Sequence, residues 1–454
     1  MTIHRILIAN RGEIAVRIIR TCKTLGIETV LAASEADLDS LAARLADRTV
    51  CIGPAHPLDS YLKADTIVQA ALAVHADAIH PGYGFLAERA SFARLCEEHG
   101  LSFLGPTSAQ IEAVGDKLRA RAEAEAAGVL TVPGRPVESV GEAMAVAREI
   151  GPPLLIKAVG GGGGRGMKRV DRLEKLPDAM ELAASEAGSA FGDTRVYLER
   201  FVTRARHVEV QILGDGEGGI VHLGERDCSV QRRYQKLIEE TPAAGLSEDL
   251  RSRIHLAAVQ FAKRLRYRSA GTVEFLVDRE CDSFYFLEVN ARIQVEHPVT
   301  EAVSGVDLVA EQIAIANGCG LRLAQRDLRR EGCAMECRIN AEDPARDFHP
   351  SPGTVQAVVW PAGEGVRVDT HIVPCTRIPP FYDSLMAKII AHGPDRGSAL
   401  KRLRQAITAT HIEGVFTNLS FHDEVLADPE YERGAVDTSY LPQLLERRQS
   451  VLKA

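Results

Sequence analysis

Glu274 and Glu288 stand on either side of a short polar segment, Asp278 to Ser283, within two runs rich in β-branched and aromatic residues, Thr272 to Val277 and Phe284 to Asn290. Such a pattern reads as a β-hairpin. Centred on Cys281, the hairpin sets the two carboxylates directly opposite each other. Strict alternation then puts Glu288, Asn290 and, if the strand continues, Arg292 on the face of Glu274. Facing carboxylates repel, and a divalent cation held by hard oxygen ligands is the expected compensation. Asn290, Arg292, Gln294 and Glu296 keep one parity, mixing metal-type and anion-binding side chains, as suits a site where a metal-bound phosphate meets a second anion. A solvated strand face is the competing reading, disfavoured by the apolar neighbours Phe275, Val277, Phe284 and Phe286.

Cations precede the hairpin. The segment Glu225 to Lys236 holds Arg226, Arg232, Arg233 and Lys236. Such a run is usually a solvated face, but directly ahead of an acidic hairpin it can equally supply anion-binding groups. Further upstream, the glycines Gly160 to Gly164 are bracketed by Lys157 and Arg165. Gly161, Gly163 and Gly166 formally match G-x-G-x-x-G, yet that fingerprint needs a following helix, and Met167 to Val170 reads as a strand. The expected structure is a strand–loop–strand flap whose backbone N–H groups converge on phosphate, mobile without nucleotide and ordered with it. No Walker A motif competes, because the dipeptide Gly-Lys does not occur.

The positioning elements follow from periodicity. Ile6 to Ala9, Asn10-Arg-Gly12 and Glu13 to Leu25 read as strand, turn and helix, with Gly26 as the stop and Ile27 to Ala33 as the next strand. Asp77 to His80 is a strand that runs into the glycine-rich Pro81 to Leu86. This alternation predicts an open parallel α/β sheet with ligands at the carboxyl ends of its strands. Leu118 to Ala127 reads as a helix and Val132 to Pro136 as a rigid non-helical turn. Val196 to Val202 and His207 to Leu213 read as strands, the second with His207, Glu209 and Gln211 on one face. A lone histidine there is more often structural than a ligand. The last third is strand- and turn-rich to about Ile389, then helical around Ser398 to Ala409 and Asn418 to Leu426.

A chain of 454 residues exceeds one ordinary core, so two or three domains are expected. A formal charge of −8 argues against a nucleic-acid or anionic-membrane surface as the main partner. Nine scattered cysteines without Cys-x-x-Cys favour reduced thiols in a cytoplasmic protein, and no apolar run reaches signal-peptide or membrane-spanning length.

Asn10-Arg-Gly-Glu13, His80-Pro-Gly-Tyr-Gly-Phe-Leu86, Gly160 to Met167, Glu225-Arg-Asp-Cys228, Gln294 to Glu301 and Glu336-Cys-Arg-Ile-Asn-Ala-Glu-Asp343 closely resemble the biotin carboxylase family. They occur in the family's order over nearly the whole chain. The resemblance implies an ATP-grasp fold of mixed α/β and α+β class. It divides into an N-terminal open parallel α/β domain (1–114), a central ATP-grasp domain (115–330) with a lid at 131–203, and a C-terminal mixed domain (331–448). It also implies a carbon–nitrogen ligase in which ATP and bicarbonate give carboxyphosphate and ADP, and CO₂ passes to N1 of carrier-linked biotin.

Carried over residue by residue, the resemblance implies ATP contacts from Lys117, Lys157, Gly163, Gly164, Glu199, Arg200, Phe201, Val202, His207, Gln231, Tyr234, Glu274 and Glu288. Glu274, Glu288 and Asn290 would ligate magnesium or manganese, two ions in all. Lys236, Arg292, Gln294 and Val295 would hold bicarbonate, with Glu296 as its general base. Arg338, beside Tyr83, would meet biotin and stabilise its enolate. Tyr234 stands where many members have histidine, Ala291 replaces a common threonine, Arg200 a common lysine, and the hairpin is two residues longer than in a familiar bacterial form. No Ala-Met-Lys-Met biotinylation motif is present, so the carrier protein and carboxyltransferase are expected on separate chains, with the protein itself a homodimer. An acyl-CoA such as acetyl-CoA is the expected acceptor, within fatty acid biosynthesis, although these residues specify neither acyl-CoA nor oxo acid. Two rivals stand beside this reading. A different ATP-grasp carboxylate ligase is opposed by Arg338 in its Glu-Cys-Arg-Ile-Asn setting, and a non-catalytic nucleotide-binding regulator by the presence of Glu274, Glu288, Arg292 and Glu296 together.

Overall fold

The computed structural model describes residues 2–159 and 167–452, with side chains at 190, 191 and 449–452 excepted. Residues 160–166, the expected phosphate flap with Gly163 and Gly164, lie outside the described residues. The two flanks do pair as antiparallel strands, Leu154–Ala158 with Met167–Val170.

The N-terminal sheet has five parallel strands, with Arg5–Ile8 at its centre, flanked by Glu28–Ala33 and Ala78–His80. The helix Gly12–Thr24 buries its Ile14, Val16, Ile18 and Ile19 stripe. Gly26, at φ +69°, ends it in the left-handed conformation a C-terminal glycine supplies. At the carboxyl end of this sheet the Asn10 side chain donates to the carbonyls of Pro81 and Tyr83, both at 2.7 Å. A Cβ on Gly82, itself at φ +61°, would fall 2.9 Å from that amide. Glycine is therefore what lets the loop carrying Tyr83 close onto the first turn.

A four-stranded antiparallel sheet, in the order Gly134–Val137, Val196–Arg200, Leu154–Ala158, Met167–Val170, packs helices Val140–Ile150 and Leu176–Phe191 against one core. The turn expected at Val132 to Pro136 is in part this sheet's edge strand. Pro136 is tolerated because an edge strand leaves one side of its backbone without a ladder partner.

The largest sheet is antiparallel and eight-stranded: Ser283–Asn290, Arg268–Asp278, Ala205–Asp215, Ile220–Arg232, Gln235–Thr241, Cys333–Asn340, Leu385–Gly393 and Val366–Thr370. It runs without a break across residue 330, because Gln235–Thr241 pairs with Cys333–Asn340. The segments carrying Lys236, Glu274, Glu288 and Arg338 are thus rows of one surface. No helix among the described residues is long and apolar enough to cross a membrane.

His371, just past the strand Val366–Thr370, sits buried against the first turn near Gly12. Burial, helped by the Arg11 charge, pushes its imidazole down from 6.5 to about 3. A histidine kept neutral in the fold contributes fully above 6.5 and loses that contribution as the pH falls toward 3. His371→Gln is therefore expected to flatten the acid-side loss of stability, by at most ~1.4 kcal/mol per pH unit. Urea unfolding of parent and variant at several pH values below 6.5 measures the difference in slope.

Candidate active site

Glu274 and Glu288 do pair across the hairpin, but by a route strict alternation does not contain. Phe275 pairs with Phe286 and Glu274 with Glu288, so Leu287 is an extra residue, a β-bulge. The bulge sends Phe284 and Phe286 to the apolar face, where they meet Phe275 and Phe261, and turns Glu288 and Asn290 toward Glu274. A hairpin of uninterrupted alternation centred on Cys281 would have placed all four on one side. The ladder ends at Asn290, and Arg292 lies in the segment beyond it.

The two carboxylates are unequal. Glu274 accepts from Lys236 Nζ and Asn290 Nδ2, both at 2.8 Å, and from Gln294 Nε2 at 3.2 Å, and its other oxygen lies 2.8 Å from His207 Nε2. Burial pushes its pKa up, but Lys236 and His207 outweigh burial and hold it far below the usual range. Glu288 is pushed up, by burial first and by Glu274 second, against the pull of Lys117. Oxygen donors crowded this way fit a hard divalent cation. His207 responds in the opposite sense: burial lowers it, yet Glu274 leaves it raised.

Lys236 is the hub. Its ammonium reaches Glu209 at 2.5 Å, Glu274 at 2.8 Å and Glu296 at 2.7 Å. Arg226, fully buried, bonds Glu209, Gln211, Thr300 and Thr272. Of the four cations in this run, Arg226 and Lys236 are therefore turned into the site rather than onto a solvated face. The other two, Arg232 and Arg233, pair with Asp347 at the rim. Ligand atoms of His207, Glu209 and Glu274 lie within 4.8 Å of one another, but Lys236 bridges the two carboxylates and Arg226 holds the second oxygen of Glu209. Removing one member of a buried ion pair leaves the other charge unsolvated. Arg226→Met, which strips one of the two cations from buried Glu209 and leaves it to Lys236, is expected to lower stability by about 3–5 kcal/mol in urea unfolding.

Glu296 precedes the helix His297–Ser304 and is 0% exposed. Burial pushes its carboxyl up, but Lys236 on one oxygen and Arg338, at 2.9 Å, on the other hold it well below the ordinary value. Arg338 also donates to Glu239 at 2.6 Å, and burial lifts Glu239 to about 7 even so. Arg292 forms a frame, donating to Glu88 and Gln294 at 2.8 Å and to Asn290 Oδ1 at 2.9 Å. The carbonyl of Val295 accepts from Lys388. The Tyr83 hydroxyl bonds Glu13 and feels the charge of Arg338, which places the expected biotin pair in one neighbourhood.

Of the described residues expected at nucleotide, Lys157, Glu199 and Arg200 lie on the four-stranded sheet, and His207, Gln231, Glu274 and Glu288 on the eight-stranded one. Lys157 pairs with Glu199 at 2.5 Å, and Lys117, at the start of the helix Lys117–Ala126, lies within the fields of Glu288, Lys157 and Glu199. Burial lowers its ammonium first of all. Arg200 bonds Tyr285 and Asp278, Phe201 lies under Arg169, and Val202 is buried. Gln231 bonds His207 Nδ1 at 2.6 Å. Tyr234 sits apart. It and Arg233, both at positive φ, form the two-residue tip between Ile220–Arg232 and Gln235–Thr241, and it is 57% exposed. Sequence reasoning assigns no site role to Glu209, Arg226, Glu239 or Glu88. The first has a visible signal, its shared strand face with His207.

The family model for the biotin carboxylase N-terminal domain matches residues 2–111, that for the ATP-binding domain of the carbamoyl-phosphate synthase L chain matches 116–324, and that for the biotin carboxylase C-terminal domain matches 336–443. Biotin carboxylase of Nostoc sp. is 49% identical over 98% of this chain and 100% of its own. A pyruvate carboxylase subunit from Methanothermobacter thermautotrophicus is 46% identical over 97% of this chain and 89% of its own. Among solved structures, the biotin carboxylase domain dimer of Hydrogenobacter thermophilus 2-oxoglutarate carboxylase, in complex with MgADP, ADP and bicarbonate, superposes with a TM-score of 0.94 at 46% identity, covering 98% of both chains. With a fold shared at that level and family models spanning its length, the chain belongs to the biotin carboxylase family of ATP-grasp enzymes.

Proposed function

We propose that the constellation around Lys236 carries out the ATP- and bicarbonate-dependent carboxylation of biotin through carboxyphosphate. The observation that carries this reading is Glu296, a carboxylate without solvent exposure, held by Lys236 and Arg338 beside the Arg292–Gln294 frame. A guanidinium fork matches planar bicarbonate and stays charged, so Arg292, with Lys236, Gln294 and the Val295 backbone, binds the anion. Glu296 is ionised and takes the bicarbonate proton. An arriving anion competes for Lys236, weakens its hold on Glu296 and thereby raises the basicity of the carboxylate.

Lys117, Lys157, Glu199, Arg200, Phe201, Val202, His207 and Gln231 line the nucleotide side. Glu274, Glu288 and Asn290 are the residues that would hold magnesium, which when bound neutralises charge on the transferring phosphoryl group. Arg338, beside Tyr83, stabilises charge on the ureido oxygen so that biotin N1 becomes nucleophilic. Tyr234, exposed at its hairpin tip, is assigned no bond to the ribose.

The biotin is a carried substrate, and the partners are a biotin carrier protein and a carboxyltransferase, a reading supported by the match to the Nostoc biotin carboxylase over the whole of that protein. The protein is a homodimer, like the Hydrogenobacter domain, and cytoplasmic, as nine free cysteines suit. The acceptor is an acyl-CoA such as acetyl-CoA, with pyruvate as the control in a reconstituted assay. ADP release by the purified protein, with and without bicarbonate and free biotin, tests the reading. Release that depends on neither overturns it.

A further inference from the structure

Arg338 and Lys388 are direct cross-strand partners on Cys333–Asn340 and Leu385–Gly393. Like charges in that position are unfavourable unless each is separately neutralised. Arg338 has Glu239 and Glu296. Lys388, with 0% of its surface exposed, lies 3.1 Å from Glu13 and 4.0 Å from Asp369, and donates a 2.8 Å bond to the carbonyl of Val295. Two adjacent cations of one sheet thus hold two consecutive residues of one turn, Arg338 the carboxylate of Glu296 and Lys388 the carbonyl of Val295. Glu13, on the first helix, also accepts from the Tyr83 hydroxyl. The chain Tyr83–Glu13–Lys388–Val295 therefore joins the biotin side of the site to the bicarbonate side.

An interior strand position is well served by Met or Leu, and a buried ammonium is tolerated only when paired and hydrogen-bonded. We infer that Lys388 is a positioning residue of the biotin carboxylase reaction, its ammonium fixing the Val295 carbonyl and so the orientation of the Gln294–Glu296 turn toward bicarbonate. The inference rests on the reading of that turn as the bicarbonate site. It predicts an effect that is local to one substrate. ATP is met by other strands and by the four-stranded sheet, none of which Lys388 touches through this bond.

Steady-state ADP release by the purified protein, with bicarbonate and ATP varied in turn, tests it. Lys388→Met is expected to raise the KM for bicarbonate about tenfold, equivalent to ~1.4 kcal/mol, with the KM for ATP and the affinity for MgADP by calorimetry within about twofold of the parent. Lys388→Arg keeps the charge but displaces the donor, and is expected to raise the bicarbonate KM about threefold. It serves as the test if the methionine variant does not fold. A merely structural lysine would move both KM values, or neither, and either result in a folded variant overturns the inference. A parent enzyme whose ADP release ignores bicarbonate overturns the underlying reading instead, so the two failures are distinct.

Discussion

Glu288→Gln is expected to lower ADP release by roughly 10³-fold or more at saturating magnesium, while leaving the protein at least as stable as the parent. The two halves of that result have one cause. Glu288 faces Glu274 across the bulge, and burial together with the neighbouring charge raises its pKa. A carboxyl raised in the fold is stabilising at low pH and loses that contribution as the pH rises past its unfolded value of 4.5. At neutral pH the ionised group therefore destabilises the fold when no cation is bound, and a neutral amide of the same shape removes that cost. The same amide is a poor substitute for a carboxylate as a hard anionic ligand. Loss of activity with equal or greater resistance to urea identifies a group kept for metal chemistry at the expense of stability. Activity within about tenfold of the parent, or a large loss of stability, would rule that assignment out.

Much of the site was legible because its chemistry lies on strands, where spacing determines facing. The shared face of His207 and Glu209 and the pairing of the strands flanking the glycines follow from turn residues and a period of two, and the same count names the right partner for Glu288. The bulge at Leu287 was not legible. Counting parity from the hairpin centre gives the right partner for Glu288 but the wrong face for Phe284 and Phe286, and only packing against Phe261 and Phe275 decides between them. For Arg226 and Lys236 the run itself left a solvated face and an anion-binding role open, because composition does not reveal a carboxylate arriving from another strand. Glu209, Glu274 and Glu296 come from three separate segments to meet them. Lys388 was invisible for the same reason: a lysine in an apolar run carries no mark of the carbonyl it will find. Pro136 misled in the opposite direction, since proline argues against a central strand but not against an edge.

Arg338→Ala and Arg292→Ala are expected to separate carboxyl transfer from bicarbonate activation. Arg292 binds Glu88, Gln294 and Asn290 at once, so its loss dismantles the frame that presents the anion, and both half-steps should fall by about 10²–10³-fold. Arg338 contributes differently. Without it Glu296 is still held by Lys236, so a bicarbonate-dependent ATPase should survive within about tenfold of the parent. Carboxylation of free biotin should fall by about 10²–10³-fold, because no other guanidinium is assigned to the developing enolate. The variant should also fold. Glu239, already lifted to about 7 with Arg338 beside it, takes a proton at neutral pH once that partner is gone, so no ionised carboxylate is stranded. A further mark belongs to Glu296. Arg338 is one of the two main charges holding its pKa down, so removing it should move the acid limb of the ATPase pH profile upward. An Arg338→Ala enzyme that carboxylates biotin at the parent rate would leave Arg338 without a part in carboxyl transfer, and one equally inactive in both assays would place it in the same role as Arg292.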